Sequence, residues 1–399
     1  INLTSGRYLG YVPGGGLFHA ALGDYLAAVT NRYAGLFFAS PGAVRIENML
    51  LRWMAAEVGY PETAAGNLAS GGSLANLTAI ITARDAFGLA GQAAEQAIIY
   101  VTEHVHHCIG KALHIAGISH CVKREVPVDD HYRMDAEALE RAIVADRRAG
   151  LKPWLVVGSA GTTNTGAVDP LATIADIARR YGLWFHVDGA YGGFFVLCPE
   201  GRPILRGMEQ SNSIVLDPHK ALFLPSGTGA VLVRDRQKLF AAFNAEADYI
   251  ENILDATDEL SPADLGPELT RHFRGLRLWL PLKLLGLKPF RAALSEKIRL
   301  ARHFYEQMIT FDGFEVGPYP DLSIVTYRYL PRRGDADEFN NRLMHAIQDD
   351  GRIFVSSTRV DGKLVLRAAI LSYRAHRAHI DQALVVIKEA AHRLEQGCC

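Results

Sequence analysis

The chain has 399 residues, 49% of them hydrophobic and 21% charged, and its 42 basic and 43 acidic side chains leave a formal net charge of −1. Such a composition belongs to a globular protein long enough for two lobes. It excludes the basic face of a nucleic-acid or anionic-membrane binder, and no run of 18 apolar residues offers a membrane span.

Residues 1–16 show neither the basic nor the apolar block of a secretion signal, so none is expected. Ser40 suits a helix N-cap and Pro41 the first helical position. Val44, Leu51, Met54, Ala55 and Val58 then fall near one face, which predicts an amphipathic helix to Val58. Apolar, β-branched runs at 97–102, 153–159, 183–187 and 213–216 read as buried strands. Helical patterns at 73–87, 135–149 and 170–181 alternate with them. The alternation predicts an α/β fold with a mainly parallel sheet and right-handed crossovers. Residues 245–266 are polar and acidic without periodicity, the pattern of a functional lid or a disordered segment. Residues 267–311 are helix-rich, with breaks expected near Pro281 and Pro289. Alternating runs at 322–329, 352–360 and 363–371, with helices around the last two, predict a smaller α+β lobe. The cysteines (Cys108, Cys121, Cys198, Cys398 and Cys399) form no C-x-x-C pair or disulfide framework, a usage that fits a reducing cytoplasm.

Several short motifs follow the predicted strands. Asp217-Pro218-His219-Lys220 comes directly after the run 213–216, at the sheet edge where α/β folds bind ligands. Burial there would lower the Lys220 pKa and leave an amine suited to Schiff-base chemistry. A lysine without such neighbours would sooner be a snorkelling surface side chain. Asp188 ends the run 183–187 and precedes Gly189-Ala190-Tyr191-Gly192-Gly193. A carboxylate so placed can pair with a pyridinium nitrogen, or equally cap a helix or bind a metal. Ser70-Gly71-Gly72-Ser73 opens the helix expected at 73–87, where free N–H groups and the helix dipole suit a phosphate. An ordinary turn is the plainer alternative. Neither a Walker loop nor a G-x-G-x-x-G motif is present. His104, His106 and His107 lack a partner cysteine or a second histidine cluster, so no metal is expected there. A flat imidazole can instead stack on an aromatic cofactor. Gly161-Thr162-Thr163 brings hydroxyls to the same edge, or forms a solvent-facing turn.

The order of these motifs resembles the group II pyridoxal-phosphate decarboxylases, the family of the aromatic L-amino-acid, histidine and glutamate decarboxylases. The likeness runs from Gly6-Arg7-Tyr8 through Leu366-Arg367 and beyond. It implies an aspartate-aminotransferase-type fold (fold type I) and the cofactor pyridoxal 5′-phosphate, bound as a Schiff base on Lys220. It implies that Asp188 faces the pyridine nitrogen, Ala190 packs under the ring and His106 stacks over it. Gly72, Ser73 and Ser213 match phosphate contacts, with His219 nearby. Thr163 matches a residue beside the ring hydroxyl, and Asp217 stands where many members have asparagine. The catalytic set so implied is Lys220, His106 and Asp188. The resemblance also implies a homodimer with its active site at the interface, residues 37–41 reaching into the partner's site. The expected division is an N-terminal dimer-forming segment at 1–60, a large cofactor-binding domain at 61–285 and a small domain at 286–399.

The reaction implied is decarboxylation of an L-amino acid to the amine. Tyr11, Phe37 and Phe38 tilt the substrate towards an aromatic one, while Gly14 replaces a larger polar residue of some members. Aromatic members carry a loop tyrosine near the reacting carbon. Here Leu260-Ser261-Pro262-Ala263-Asp264 has none, and Tyr249 aligns with the loop's entry. Members without that tyrosine release an aldehyde, which keeps an oxidative decarboxylase open beside a lyase of the sphingosine-phosphate type. A non-catalytic dimeric binding protein would have no need for Lys220, Asp188 and His106 together.

Overall fold

Strands buried on both faces need apolar side chains at every position, and alternate residues then feed two different cores. The computed structural model, which describes residues 1–12, 14–89, 94–244 and 259–397, shows this partition. In β2 (Ala97–Val101), Ile98 and Tyr100 point into one core while Ala97, Ile99 and Val101 point into the other. The first core is completed by α2 (Pro41–Val58), α5 (Ala136–Arg148) and α6 (Leu171–Tyr181). The second receives α3 (Gly72–Ala86), α4 (Cys108–Ile115) and α8 (Arg236–Phe243). Each fully buried aliphatic side chain adds about 1.5–3 kcal/mol by transfer from water.

The sheet has seven strands in the order β1-β7-β6-β5-β4-β2-β3. Its members are β1 (Ala65–Ala69), β2, β3 (Val122–Glu125), β4 (Lys152–Ser159), β5 (Trp184–Gly189), β6 (Ser213–Leu216) and β7 (Gly229–Val233). Neighbours from β3 across to β6 are parallel, and β7 alone runs against both its neighbours. The carboxyl ends of β1, β2, β4, β5 and β6 therefore share one edge, which becomes the site.

A second, antiparallel sheet of order β10-β11-β9-β8 is built from β8 (Phe314–Val316), β9 (Ile324–Tyr329), β10 (Ser356–Val360) and β11 (Lys363–Ala369). Its core unites Val325, Tyr327, Leu366 and Ala368 with Leu300 and Phe304 of a long helix and Ile380, Leu384 and Ile387 of the last one. The N-terminal stretch is tied to this lobe: Leu9 lies in the same core and its N–H donates to Phe354 O at 2.7 Å.

Three local expectations change. Ser40 precedes α2 as expected, but its side chain caps nothing, and the helix starts on Pro41. Pro281 lies inside the helix Gly275–Leu285 without ending it; Gly286 closes that helix at a positive φ of 70°, and Pro289 sits in the first turn of the next, Lys288–Met308. Part of the stretch read as a lid is packed. Asn48 and Arg52 of α2 hold the Glu259 carboxylate, at 2.7 and 3.1 Å, and Pro262–Leu265 forms a 3-10 turn. Tyr249, Cys398 and Cys399 lie outside the described residues. No described helix is long and apolar enough to cross a membrane.

Candidate active site

One cavity of about 460 Å³ opens at the shared strand edge, within the range of small-molecule sites. Gly72 and Ser73 reach it from the turn after β1, His106 from the turn after β2 and Thr163 from beyond β4. Asp188 and Ala190 come from the end of β5. His219 and Lys220 come from the short helix α7 (Pro218–Ala221) after β6, and Asp217 from the position just before it.

The expectation for Lys220 is corrected. Burial by itself pushes the ammonium down, but the carboxylates of Asp217 and Asp188 outweigh it and hold the pKa above the ordinary lysine value. Lys220 Nζ lies 2.9 Å from Asp217 Oδ2, because three residues of helix bring the two side chains together. Asp217 is almost sealed from solvent, and its Oδ1 meets no hydrogen-bond donor among the described residues. Two glycines make room for that carboxylate. A Cβ on Gly72 would stand 2.9 Å from Asp217 Oδ2, and one on Gly229 would stand 2.6 Å from Oδ1.

Of the three histidines that line the cavity, His219 and His106 have their protons placed by their partners. His219 Nδ1 donates to Thr228 O at 2.6 Å, which turns Nε2 towards Asp217, 3.9 Å away. His106 Nδ1 accepts the Cys108 N–H at 3.2 Å, leaving its proton on Nε2. Burial keeps His106 below the usual imidazole range despite the pull of Asp188. His104 also lines the cavity, and its ring packs edge-on against Tyr132, with ring centroids 5.5 Å apart.

Asp188 accepts the Ala190 N–H on Oδ1 at 3.1 Å, and Asn76 Nδ2 approaches Oδ2 at 3.5 Å. Asn76 Oδ1 in turn faces His186 Nε2 at 2.7 Å. Neither Asn76 nor His186 was singled out from the sequence, although simple periodicity points to both. His186 and Asp188 are i, i+2 on one strand and share a face; Gly72 and Asn76 are i, i+4 on one helix. Ser213 is placed differently from expectation. It begins β6, far from the carboxyl edge, and its hydroxyl is taken by Trp184 Nε1 and His186 Nδ1, each at 2.8 Å, so it does not line the cavity.

Tyr11, Phe37 and Phe38 do not line the cavity of the single chain either. Tyr11 is 62% exposed at a backbone φ of 53°, held there by Ser356 Oγ on its N–H and by Arg367 on its carbonyl. Arg367 also binds the Thr163 carbonyl, which ties the second lobe to the cavity rim. Phe37 lies under the Arg45 guanidinium, and its N–H donates to Ser261 Oγ at 3.0 Å. Phe38 is 82% exposed. Gly14 approaches the site; a Cβ there would meet His219 O at 3.1 Å.

This set of groups fits pyridoxal phosphate. The glycine turn at the start of α3 offers backbone N–H groups to an anion, with His219 alongside. Ala190 and a flat imidazole, His106, line the same cavity as an amine, Lys220, and a carboxylate, Asp188.

Comparison with known proteins agrees. The profile of the family described as pyridoxal-dependent decarboxylase conserved domain matches residues 4–330. An aromatic-L-amino-acid decarboxylase of Bacillus atrophaeus is 34% identical, over 97% of this chain and 82% of that protein. A phenylacetaldehyde synthase of Arabidopsis thaliana is 30% identical over 98% of this chain and 82% of its own length. The crystal structure of Oryza sativa TDC with PLP and tryptamine superposes with a TM-score of 0.91, at 29% identity, covering 99% of this chain and 85% of that one. The architecture is thus the aspartate-aminotransferase type, fold type I. The chain belongs to the pyridoxal-dependent decarboxylase family and is a pyridoxal-phosphate enzyme acting on an amino acid.

Proposed function

We propose that the chain decarboxylates an aromatic L-amino acid to its amine, with Lys220 carrying the cofactor. The single observation that carries the assignment of roles is the convergence of Lys220, Asp188 and His106 on one cavity. Pyridoxal phosphate, when bound, supplies an aldehyde for amines and a conjugated ring that takes up the electron pair left by a departing carboxylate. Lys220 is the nucleophile. It must first lose a proton, and Asp217 Oδ2 at 2.9 Å is the acceptor within reach. Asp188, fixed by the Ala190 N–H, presents a negative charge where a protonated ring nitrogen needs one. Gly72, Ser73 and His219 hold the phosphate, Thr163 the ring hydroxyl side, and Ala190 and His106 the two ring faces. His106, neutral and with its proton on Nε2, is also a hydrogen-bond donor to a substrate carboxylate.

The aromatic preference rests on Tyr11, Phe37 and Phe38, and on relatives whose names specify aromatic substrates. Those side chains complete a site only in a homodimer. The helix α1 (Phe18–Thr30) supports that assembly: Phe18, Leu22, Tyr25, Leu26 and Val29 recur at helical spacing and all are exposed. A monomer gains nothing from such a stripe, whereas a second copy of the chain covers it. The free, buried thiols of Cys108, Cys121 and Cys198 suit the cytoplasm.

An aldehyde product is the second reading, favoured by the absence of tyrosine from 260–264 and by the likeness to a phenylacetaldehyde synthase. The test is a product assay on cofactor-loaded protein with L-tryptophan, L-tyrosine, L-phenylalanine, L-glutamate and L-2,4-diaminobutyrate. Carbon dioxide with an equal amount of aromatic amine supports the proposal. Carbon dioxide with aldehyde and peroxide replaces it by the second reading, and carbon dioxide only from the last two substrates refutes the aromatic assignment.

A further inference from the structure

Behind Asp188 runs a chain of buried hydrogen bonds whose direction is fixed at the carboxylate. At the far end, Trp184 Nε1 can only donate, and it donates to Ser213 Oγ at 2.8 Å. Ser213 Oγ also lies 2.8 Å from His186 Nδ1, which accepts the hydroxyl proton when the imidazole is neutral with its own proton on Nε2. His186 then carries its own proton on Nε2 and donates to Asn76 Oδ1 at 2.7 Å. The Asn76 amide is so turned that Nδ2 faces Asp188 Oδ2, at 3.5 Å, and Cys108 Sγ, at 3.4 Å. The near end sets this order, since a carboxylate oxygen accepts and the opposite amide orientation would set two oxygens against each other. His186, Asn76 and Ser213 are fully buried, so water cannot substitute for any link. A neutral His186 is what the chain requires, and burial holds its pKa down to about 4.

We propose that Asn76 and His186 are positioning residues for Asp188, a relay anchored on Trp184 that presents only hydrogen-bond donors to the back of the carboxylate facing the cofactor's ring nitrogen. With the Ala190 N–H on Oδ1, Asp188 then has donors on both oxygens and one orientation. The proposal rests on the reading of Asp188 given above. Removing the partners that orient metal-ligating side chains changes affinity or activity by about 10- to 100-fold, and the same scale is expected for a carboxylate oriented in this way.

The test uses protein loaded with pyridoxal phosphate isotope-labelled at the ring nitrogen, whose NMR resonance reports how that nitrogen is protonated and paired. Asp188→Asn is the reference and should move the resonance. Asn76→Asp keeps the size of the side chain but turns an oxygen to Asp188. His186→Leu breaks the relay, while His186→Gln keeps a donor within reach of Asn76 Oδ1. The expected result is a displaced resonance in Asn76→Asp and His186→Leu, in the direction set by Asp188→Asn, with a fall in kcat of about 10- to 100-fold and little change in KM. His186→Gln should stay near the parent. If His186→Leu fails to fold, Asn76→Asp decides alone. A resonance moved by Asp188→Asn but unmoved by Asn76→Asp overturns the relay and leaves the role of Asp188 standing. A resonance unmoved by Asp188→Asn overturns both.

Discussion

Lys220 Nζ and Asp217 Oδ2 form an ion pair of 2.9 Å in which the carboxylate is buried and the amine borders the cavity. The pair keeps the lysine charged until it is needed. Its sign in pH is definite: Lys220 is held above its ordinary pKa, so the contribution to stability is complete at neutral pH and is lost as pH rises through the raised value. Replacing Asp217 by Asn removes the main opposing charge and leaves burial to push the amine down. Stopped-flow measurement of cofactor uptake by the apoenzyme should then show its pH profile displaced to lower pH. A profile unchanged in Asp217→Asn would mean that another group receives the lysine proton.

His186 makes the protein acid-sensitive over a defined window. Burial holds it neutral down to a pH of about 4, whereas the unfolded imidazole takes a proton near 6.5. Protons therefore favour the unfolded chain as pH falls from 6.5 towards 4, by about 3 kcal/mol in all. Urea unfolding of the holoenzyme across that window should show the loss, and His186→Gln, which has nothing to titrate, should show correspondingly less of it.

Glu47 and Arg271 form an ion pair with both side chains sealed from solvent, 2.7 Å apart. Glu47 also accepts the Gly275 N–H, and Arg271 also binds the Leu68 carbonyl just before the glycine turn. Glu47→Leu leaves a buried guanidinium without its carboxylate, at an expected cost of about 3–5 kcal/mol. Denaturant melting measures it. The double variant in which Arg271 also becomes Met should recover much of the loss.

The stripe on α1 offers a test of assembly. Leu22→Asp together with Leu26→Asp puts two charges into the face that a second copy would cover, without touching the cavity. Sedimentation should find a dimer for the parent and a monomer for the variant. Turnover should fall with it by at least about tenfold, because charges buried without partners oppose association. A monomeric variant with full activity would show each cavity to be self-sufficient.

Much of this architecture is legible in the residues themselves, for a physical reason. Strands β2, β4, β5 and β6 are buried on both faces and announce themselves as continuous apolar runs. Strand β1 does not. Its sequence Ala-Gly-Asn-Leu-Ala has little preference for extended structure and becomes a strand by pairing with β7 from Ala65↔Val233 to Ala69↔Gly229. The helix α1 escaped for the opposite reason, since its apolar face points outward to a surface that a single chain leaves bare. At the site, motif order located the cavity, but matching a motif did not say which way each side chain points. Ser213 follows from its place at the start rather than the end of β6. Part of the raised pKa of Lys220 is within reach of the spacing: an aspartate three residues before a lysine falls beside it on one helical turn, and together with Asp188 it outweighs burial.

The central claim is that Lys220 carries the cofactor, and chemical fixation tests it most directly. Protein loaded with pyridoxal phosphate is reduced with borohydride, digested and mapped by mass spectrometry, beside Lys220→Ala. The account predicts one pyridoxyl-modified lysine, Lys220, with neither the modification nor the cofactor absorbance band nor carbon dioxide release in Lys220→Ala. Modification of a different lysine, or undiminished carbon dioxide release from Lys220→Ala, would contradict it.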